Sequence, residues 1–338
     1  MVGPGVRGAH AWLDAGELYS WPARMPMPEI SVIVPTYRRR DALSRTLAAL
    51  ERQSVAREAF EVLVVDDPLE DDSAAVAAVL GAERRPFALR HLHRDARGVS
   101  AARNAGWRAA AARLVMFIGD DILLAPNALE EHLAWHRVHP EDEFGVLGGV
   151  EWASELRVTP FMRWLERGIQ FNYLSLQGSE APWTHFYTAN VSVKRAMLEL
   201  IGGFDEERFP FLYEDLDVGR RLSEHGFRLL YNRAAIGEHL HQTDVEEWRR
   251  RMAATAPAER RWVEAYPDMP AWFHDIFEAA ERRRRVPALA ARLAARVPAP
   301  TPLIGGRAGA VADLYFRQQL APAFLQAWRA AGQSRGRT

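Results

Sequence analysis

The 338-residue sequence contains no cysteine. This absence excludes disulfide bonds, thiolate zinc sites and cysteine nucleophiles together. Lysine is almost as scarce, since Lys194 is the one lysine of the chain and it follows Val193. A P-loop requires a Gly-Lys pair, so the chain has none, and a Schiff-base enzyme would depend on Lys194 alone.

Long apolar runs and a net charge are also missing. The sequence has no run of about 18 or more apolar residues, the length that a membrane-spanning helix needs. The formal net charge is −1, which gives no field that would attract nucleic acid. Residues 1–28 lack the cationic and then apolar order of a secretory signal. We therefore expect a cytoplasmic protein that binds no nucleic acid, with peripheral contact at the inner membrane face left open.

Apolar, β-branched runs alternate with amphipathic segments over the first half of the chain. The predicted strands are 30–34, 60–65, 87–92, 114–118 and 144–150, and the predicted helices begin at Asp41, Asp72, Gly98 and Asn127. This alternation predicts βαβ units and a doubly wound, mostly parallel central sheet flanked by helices.

The rest of the chain divides less regularly. Residues 1–28 read as an N-terminal extension, and 29–242 as the α/β domain, with its two halves meeting near residue 122. Within the second half, a strand is predicted at 188–193 and a helix at 214–224. Residues 243–338 are rich in Ala and Arg and predict a helical appendage. Formation of a homo-oligomer through these C-terminal helices is left open.

Two adjacent carboxylates, Asp120 and Asp121, follow the predicted strand 114–118. Buried acids repel each other and are costly to desolvate unless a positive group lies beside them. A divalent cation that bridges to phosphate oxygens would meet this need at the carboxyl end of a strand. The alternative is a strand-end turn in which the pair is solvated or caps the next helix.

Further acids and two histidines lie downstream. Asp215 falls in the first turn of the helix predicted at 214–224, where the helix dipole favours the carboxylate form. Ordinary acidic decoration of that turn is the alternative. His239 and His241 would share one face of an extended segment, and neutral imidazole is an accepted ligand for Mn²⁺.

Six motifs occur in a fixed order along the chain: Val34–Arg39, Val64–Asp67, Gly98–Gly106, Asp120–Asp121, Gly202–Glu206 and Tyr213–Asp217. In this order they resemble the inverting glycosyltransferases of family 2, which have the GT-A fold. The resemblance covers about residues 30 to 241.

The resemblance implies roles for individual residues. A nucleotide-sugar donor, with a UDP-sugar favoured, would contact Pro35, Thr36, Tyr37, Arg39, Asp66, Asp67, Arg103, Asn104 and Asp120. A divalent cation, Mn²⁺ or Mg²⁺, would be held by Asp121. Gly119 stands where the family has an acid, so His239 or His241 is expected to complete the ligand set. Asp215 corresponds to the general base of the family.

We therefore expect a metal-dependent inverting glycosyltransferase that moves one sugar to a hydroxyl of a glycan, a lipid-linked or a small-molecule acceptor. Residues that could border the sugar or acceptor are Trp183, His185, Asn190 and Glu214, with core packing as the alternative. The other function considered is a catalytically impaired, nucleotide-sugar-binding or scaffolding relative, because Gly119 and the loop after Asp67 depart from the family pattern. The run Arg282–Arg285 reads either as a solvated helix face or as contact with an anionic membrane.

Overall fold

The computed structural model describes residues 12–13, 26–66, 85–93, 98–294 and 305–334. The helix predicted at 72–80 and the predicted donor residue Asp67 lie outside these ranges. The described strands are β1 (Trp12–Leu13), β2 (Ile30–Thr36), β3 (Phe60–Asp66), β4 (Ala88–His93), β5 (Leu114–Ile118), β6 (Ile122–Leu124), β7 (Phe144–Trp152), β8 (Glu180–Ala181), β9 (Asn190–Lys194) and β10 (Arg228–His239).

These strands form one sheet in the order β1-β4-β3-β2-β5-β9-β7-β10-β6, with β8 paired to β10. The neighbouring strands within the series β1-β4-β3-β2-β5 are parallel to one another, and β7 is parallel to β10. β9 runs antiparallel between β5 and β7, and β6 and β8 run antiparallel to β10. The predicted α/β fold with a mostly parallel sheet is confirmed.

The described helices are α1 (Arg40–Leu50), α2 (Val99–Ala109), α3 (Ala128–Val138), α4 (Pro160–Leu165), α5 (Arg195–Ile201), α6 (Glu214–Ser223), α7 (Val245–Ala265), α8 (Trp272–Glu281), α9 (Ala288–Ala294) and α10 (Gly305–Ser334). In α1 the leucines spaced three and four residues apart, Leu43, Leu47 and Leu50, are buried in one core with β2, β3 and β5. Within the described ranges, none of the helices combines the length with the apolar composition that spanning a bilayer requires.

Four described strands, β1, β6, β8 and β10, were not predicted from the sequence. β6 has three residues, too few for a period to show. β10 carries polar residues within it, and its register with β7 shifts between Asn232 and Ile236, which breaks the alternation that marks a strand.

The chain divides into two compact units. The first comprises residues up to 156 and 175–241, and it contains the whole sheet. The second comprises 157–174 and the residues from 242 onward, so α4 groups with α7 to α10. In this second unit the rings of Phe161 and Trp164 lie 5.3 Å from that of Phe316, and Phe277 lies 5.2 Å from Phe324. The segment 157–174, assigned from sequence to the α/β domain, thus belongs to the helical unit.

Candidate functional site

The acidic pair lies directly after β5 in the first unit, and both side chains are buried. β5 runs beside β2, and at the end of β2 the hydroxyl of Thr36 donates to Asp120 Oδ2 at 2.8 Å. The hydroxyl of Thr46, on α1, donates to the backbone carbonyl of Asp120 at 2.8 Å. The pair is therefore fixed at the carboxyl edge of parallel strands, where open α/β sheets bind ligands.

The positive partner of the pair is Arg39. Its Nη1 lies 3.0 Å from Asp120 Oδ1, and its Nη2 lies 2.5 Å from Asp121 Oδ2. The same Nη2 is 3.2 Å from Nδ1 of His241. The resemblance implied that Arg39 contacts the donor. In this arrangement its guanidinium supplies the positive charge that a buried carboxylate pair requires, and its contact with the donor stays a prediction.

His239 and His241 reach the pair from β10. Because β10 pairs antiparallel with β6, His239 stands opposite Ile122, one residue after Asp121. His239 Nε2 lies 3.1 Å from Asp121 Oδ2, and its ring stacks on that of Trp152 with centroids 5.3 Å apart. The ring of His241 stacks on His239 at 5.7 Å. The structure brings both histidines to the acidic pair, and their role as ligands stays a prediction.

The two carboxyl groups differ in their electrostatic surroundings. Burial raises the pKa of Asp120 to about 6, although Arg39 opposes this shift. Burial acts in the same direction on Asp121, but the hydrogen bond to His239 and the attraction of His239 and Arg39 outweigh it and hold the pKa of Asp121 well below its usual range. Asp121 is thus ionised at neutral pH and is the better anionic ligand of the two.

The side chains around Arg39 fit a divalent cation by their chemistry. Carboxylate oxygens and imidazole nitrogens are ligands that Mn²⁺ accepts. Both carboxylates and His241 contact one guanidinium here, and His239 contacts Asp121. Within the described ranges, no three acidic or histidine groups are already arranged around one ion position. A bound cation would therefore require Arg39 to move off the carboxylates.

Asp215 lies in the first turn of α6, where Thr188 holds its carboxylate. The backbone N–H of Thr188 donates to Oδ2 at 3.0 Å, and its hydroxyl donates to Oδ1 at 2.8 Å. Arg103 Nη1 lies 2.8 Å from Glu214 Oε1 and 3.6 Å from Asp215 Oδ1. Burial raises the pKa of Asp215 to about 6, with Arg103 opposing and Glu214 reinforcing the shift. Since the side chain remains 27% exposed, it can act as a base on a bound hydroxyl.

The backbone that leads to Asp215 is strained. Leu212 and Tyr213 have φ of +61° and +71°, in the left-handed region that residues with a Cβ rarely adopt. The start of α2 holds this segment, because Ser100 N–H donates to the carbonyl of Pro210 at 3.1 Å. Gly98, with φ of +99°, approaches the same carbonyl so closely that a Cβ would lie 2.5 Å from its oxygen. Strain at this turn is thus maintained by fixed contacts beside the acid.

Asn104, expected with Arg103 at the donor, is buried and bound to the turn before Phe204. Its Oδ1 accepts from the N–H of Phe204 at 2.9 Å and from Trp107 Nε1 at 2.8 Å, while its Nδ2 donates to the carbonyl of Phe204 at 2.9 Å. A Cβ on Gly203 would lie 2.4 Å from Asn104 Oδ1. These contacts indicate that Asn104 positions the turn, and a direct donor contact stays a prediction.

The remaining donor residues lie at the ends of β2 and β3. Pro35 is in β2, Thr36 stands opposite Asp66 in the register of the two strands, and Tyr37 follows with an exposed ring. Asp66 is buried, with Oδ1 3.0 Å from His91 Nε2. Since Asp67 lies outside the described residues, base recognition there stays a prediction.

The four residues expected near the acceptor lie in different surroundings. Trp183 is half-buried in a short 3₁₀ turn that packs closely on α6, and His185 is buried between the hydroxyls of Ser175 and Thr184. Glu214 is buried and paired with Arg103, and Asn190 is in the core. Contact with an acceptor stays a prediction for these residues, and the packing alternative describes Asn190 best.

A buried polar chain, not anticipated from the sequence, ends on Asn190. The amide Nδ2 donates to backbone carbonyls of β7 and β10 at 3.0 and 2.9 Å, so Oδ1 must accept from His132 Nε2 at 3.0 Å. His132 Nδ1 then accepts from the hydroxyl of Ser192 at 2.8 Å, and that oxygen accepts from His136 Nε2 at 2.8 Å. The spacing of the two histidines, four residues on one helix, was the available signal.

Acid is expected to destabilise the protein through this chain. Burial lowers the pKa of His132 to about 4, and burial together with Lys194 lowers that of His136. Both imidazoles stay neutral in the folded protein while the unfolded chain binds protons below pH about 6.5, so stability is complete above that pH and is lost as pH falls toward 4. Between about pH 7 and about pH 5, His132 alone should remove about 2 kcal/mol from the free energy of unfolding.

Urea unfolding at the two pH values measures this loss. His132→Gln should reduce the pH dependence, whereas His225→Gln, at an exposed position, should leave it unchanged. If His132→Gln retained the dependence of the wild type, the assignment to this chain would be wrong.

Comparison with known proteins shows what the chain is similar to. Residues 31–198 match the family described as Glycosyl transferase family 2. Validoxylamine A glucosyltransferase of Streptomyces hygroscopicus subsp. jinggangensis is 31% identical over 256 residues, covering 65% of this chain and 58% of that protein. Pre-mycofactocin glycosyltransferase of Mycobacterium tuberculosis is 27% identical over 275 residues, covering 78% of this chain and 54% of that protein. The chain thus spans less than two thirds of the length of these curated relatives.

Two solved structures share the fold. Mannosyltransferase PcManGT from Pyrobaculum calidifontis, in complex with GDP-Man and Mn²⁺, has a TM-score of 0.57 at 17% identity, over 91% of this chain and 90% of that one. TarS 1-349 of S. aureus, in complex with UDP-GlcNAc, has a TM-score of 0.50 at 16% identity, over 90% of this chain and 92% of that one. At these identities the likeness shows the fold alone, which is the GT-A fold. The motif order and the match over residues 31–198 together make this chain a member of glycosyl transferase family 2.

Proposed function

We propose that this protein is a metal-dependent inverting glycosyltransferase that moves one sugar from a nucleotide-diphosphate sugar to an acceptor hydroxyl. The observation that carries the proposal is the state of Asp215. Its carboxylate is oriented by two donors of Thr188, remains partly exposed and has a pKa raised to about 6. A base with these properties removes a proton from a hydroxyl near neutral pH.

The proposed reaction is a single displacement. Asp215 takes the proton of the acceptor hydroxyl as its oxygen attacks the anomeric carbon from the face opposite the diphosphate. The bond to the diphosphate breaks in the same step, so the anomeric configuration inverts. Thr188 keeps the oxygens of Asp215 in place, and Arg103 balances the charges of Asp215 and Glu214.

The acidic pair would serve the leaving group. Asp121, with His239 and His241, would hold Mn²⁺ or Mg²⁺, which when bound supplies Lewis-acid neutralisation of the diphosphate. Arg39 would leave the carboxylates as the cation binds. It would remain beside the site as a positive group able to bond phosphate oxygens.

The donor and acceptor are proposed only as classes. A UDP-sugar is favoured because Asp66 ends β3 and Asp67 is next in the sequence, at the place where the family recognises a uracil-type base. The solved structures named above contain GDP-Man and UDP-GlcNAc. The acceptor would be a hydroxyl of a glycan, of a lipid-linked molecule or of a small molecule. We propose a cytoplasmic location, where such donors are made available.

A panel of nucleotide sugars tests this proposal through thermal unfolding and donor hydrolysis, with and without Mn²⁺. A donor at about 100 times its Kd should stabilise the protein by about 2.7 kcal/mol, and the metal should be required. UDP-sugars should stabilise and be slowly hydrolysed, while GDP-sugars should do neither. Stabilisation without hydrolysis or transfer would favour the binding or scaffolding alternative, and no stabilisation by any nucleotide would contradict the proposal.

A further inference from the structure

The second unit carries an exposed surface that combines positive charge with leucine, which we call the basic edge: Arg282–Arg285, Leu289 and Leu293. All four arginines are exposed, and the two leucines are 69% and 56% exposed. In the described part of the chain, Arg282 pairs with Glu278 at 2.8 Å, while no ion pair is present for the other three arginines. The edge thus keeps most of its positive charge available.

The helix α9 buries an alanine and exposes two leucines, which is the reverse of what a helix in a hydrophobic core does. Ala291 of this helix is buried, at 3% exposed. Leu289 and Leu293 each lie two residues from Ala291, which at about 100° per residue places them about 160° away, on the opposite side. A core helix would bury leucine and expose alanine. The two leucines are therefore directed at something other than the interior of this unit.

The arginine run is also held in a fixed conformation. Gln318 of α10 is buried, and its amide nitrogen Nε2 donates to the carbonyls of Ala280, Arg283 and Arg284 at 3.1, 3.3 and 3.2 Å. Its Oε1 accepts from the N–H of Val286 at 2.9 Å. Gln318 thus fixes the backbone of the arginine run, while the arginine side chains are exposed. Binding through these side chains would therefore not require the main chain to become ordered.

We propose that the basic edge binds the surface of an anionic phospholipid bilayer. Arginine clusters next to an apolar helix face bind such surfaces by pairing with headgroup phosphates while the apolar side chains enter the interface. A soluble polyanion such as a nucleic acid would use the arginines but not the leucines, and a wholly apolar protein face would not use the arginines. This inference goes beyond the sugar transfer proposed above and does not depend on it.

Vesicle co-sedimentation of the full chain tests the basic edge. Vesicles of phosphatidylcholine mixed with phosphatidylglycerol should bind the protein, and vesicles of phosphatidylcholine alone should not. Replacing Arg283, Arg284 and Arg285 together by Gln should weaken binding about a hundredfold, since each basic residue contributes about fivefold near such a surface. Replacing Leu289 and Leu293 together by Ser should weaken it about tenfold.

A charge-matched control separates the edge from the general charge of the protein. Arg52, Arg113 and Arg137 are exposed residues of the first unit, and replacing them together by Gln removes the same charge. This triple variant should bind vesicles within about twofold of the wild type. Thermal unfolding of each variant confirms that exposed substitutions leave the fold intact.

Three results would overturn the inference. The first is absence of binding to anionic vesicles by the wild type. The second is equal weakening by the control triple, which would mean unspecific charge attraction. The third is a pair of results: the Leu289→Ser, Leu293→Ser variant binds anionic vesicles as tightly as the wild type, and the wild type binds a soluble oligonucleotide as tightly as it binds the vesicles. These two results together would make the edge a site for soluble polyanions.

Discussion

Asp215→Asn is expected to lower the rate of sugar transfer by about 10² to 10⁴ while leaving the Kd of the donor nucleotide unchanged. The amide has the shape of the carboxylate: its oxygen can still accept from the N–H of Thr188, which lies 3.0 Å from Oδ2, and its NH2 group can donate to the hydroxyl oxygen of Thr188, which lies 2.8 Å from Oδ1. It cannot accept the proton of the acceptor hydroxyl. Measurement of kcat and of nucleotide affinity by calorimetry on the same variant separates chemistry from binding.

The pH profile gives a second measurement of the same residue. With burial raising the pKa of Asp215 to about 6, the base is protonated below that pH, so kcat should fall as pH decreases through about 6. The matched control is Glu224→Gln, which removes one exposed carboxylate at the other end of α6. If Asp215→Asn kept the turnover of the wild type, the assignment of the base would be wrong.

Asp121→Asn is expected to weaken the Mn²⁺-dependent binding of UDP by about a hundredfold or more. Asp121 has the lower pKa of the pair, and removing its charge leaves one carboxylate whose pKa is raised to about 6. Calorimetry of UDP with and without Mn²⁺ measures the effect, which should be confined to the titration with metal.

Two variants make this experiment decisive. Asp41→Asn removes a fully accessible carboxylate at the start of α1 and should change nothing. Arg39→Gln frees both acids from the guanidinium, so Mn²⁺ without nucleotide should bind more tightly than it binds the wild type. If Asp121→Asn bound UDP and Mn²⁺ as the wild type does, the metal would have to be held elsewhere.

The elements that bear the site could be predicted because each rests on local pattern. β5 is an uninterrupted apolar run, and the acids follow it directly in the chain. The meeting of Asp121 with His239 could be expected only through the family resemblance, since 118 residues separate the two. The structure brings His239 to Asp121, and the role of this histidine as a metal ligand stays a prediction.

Other features had no local signal. Arg39 lies in a run of three arginines, and nothing in the run indicates which guanidinium turns inward to the acids. Asn190 has a polar side chain beside aromatic residues, which is typical of a cleft, yet tertiary contacts place it in a buried chain with His132. The bulge in β10 likewise interrupts the alternation of side chains by which a strand is predicted, and the strand that pairs with it, β7, is distant in the sequence. In each case the outcome depends on long-range packing that no short period encodes.

The division of the chain into two units has a consequence for how such a protein can evolve. The chain enters the helical unit twice, at 157–174 and again from 242, and the aromatic rings of α4 pack on Phe316 of α10. A single crossover near residue 242 would deliver a new C-terminal segment but leave Phe161 and Trp164 without the surface that covers them. We therefore expect recombination at that one point to be disfavoured, and the segment 157–174 and the residues from 242 onward to be inherited together although residues 175–241 lie between them.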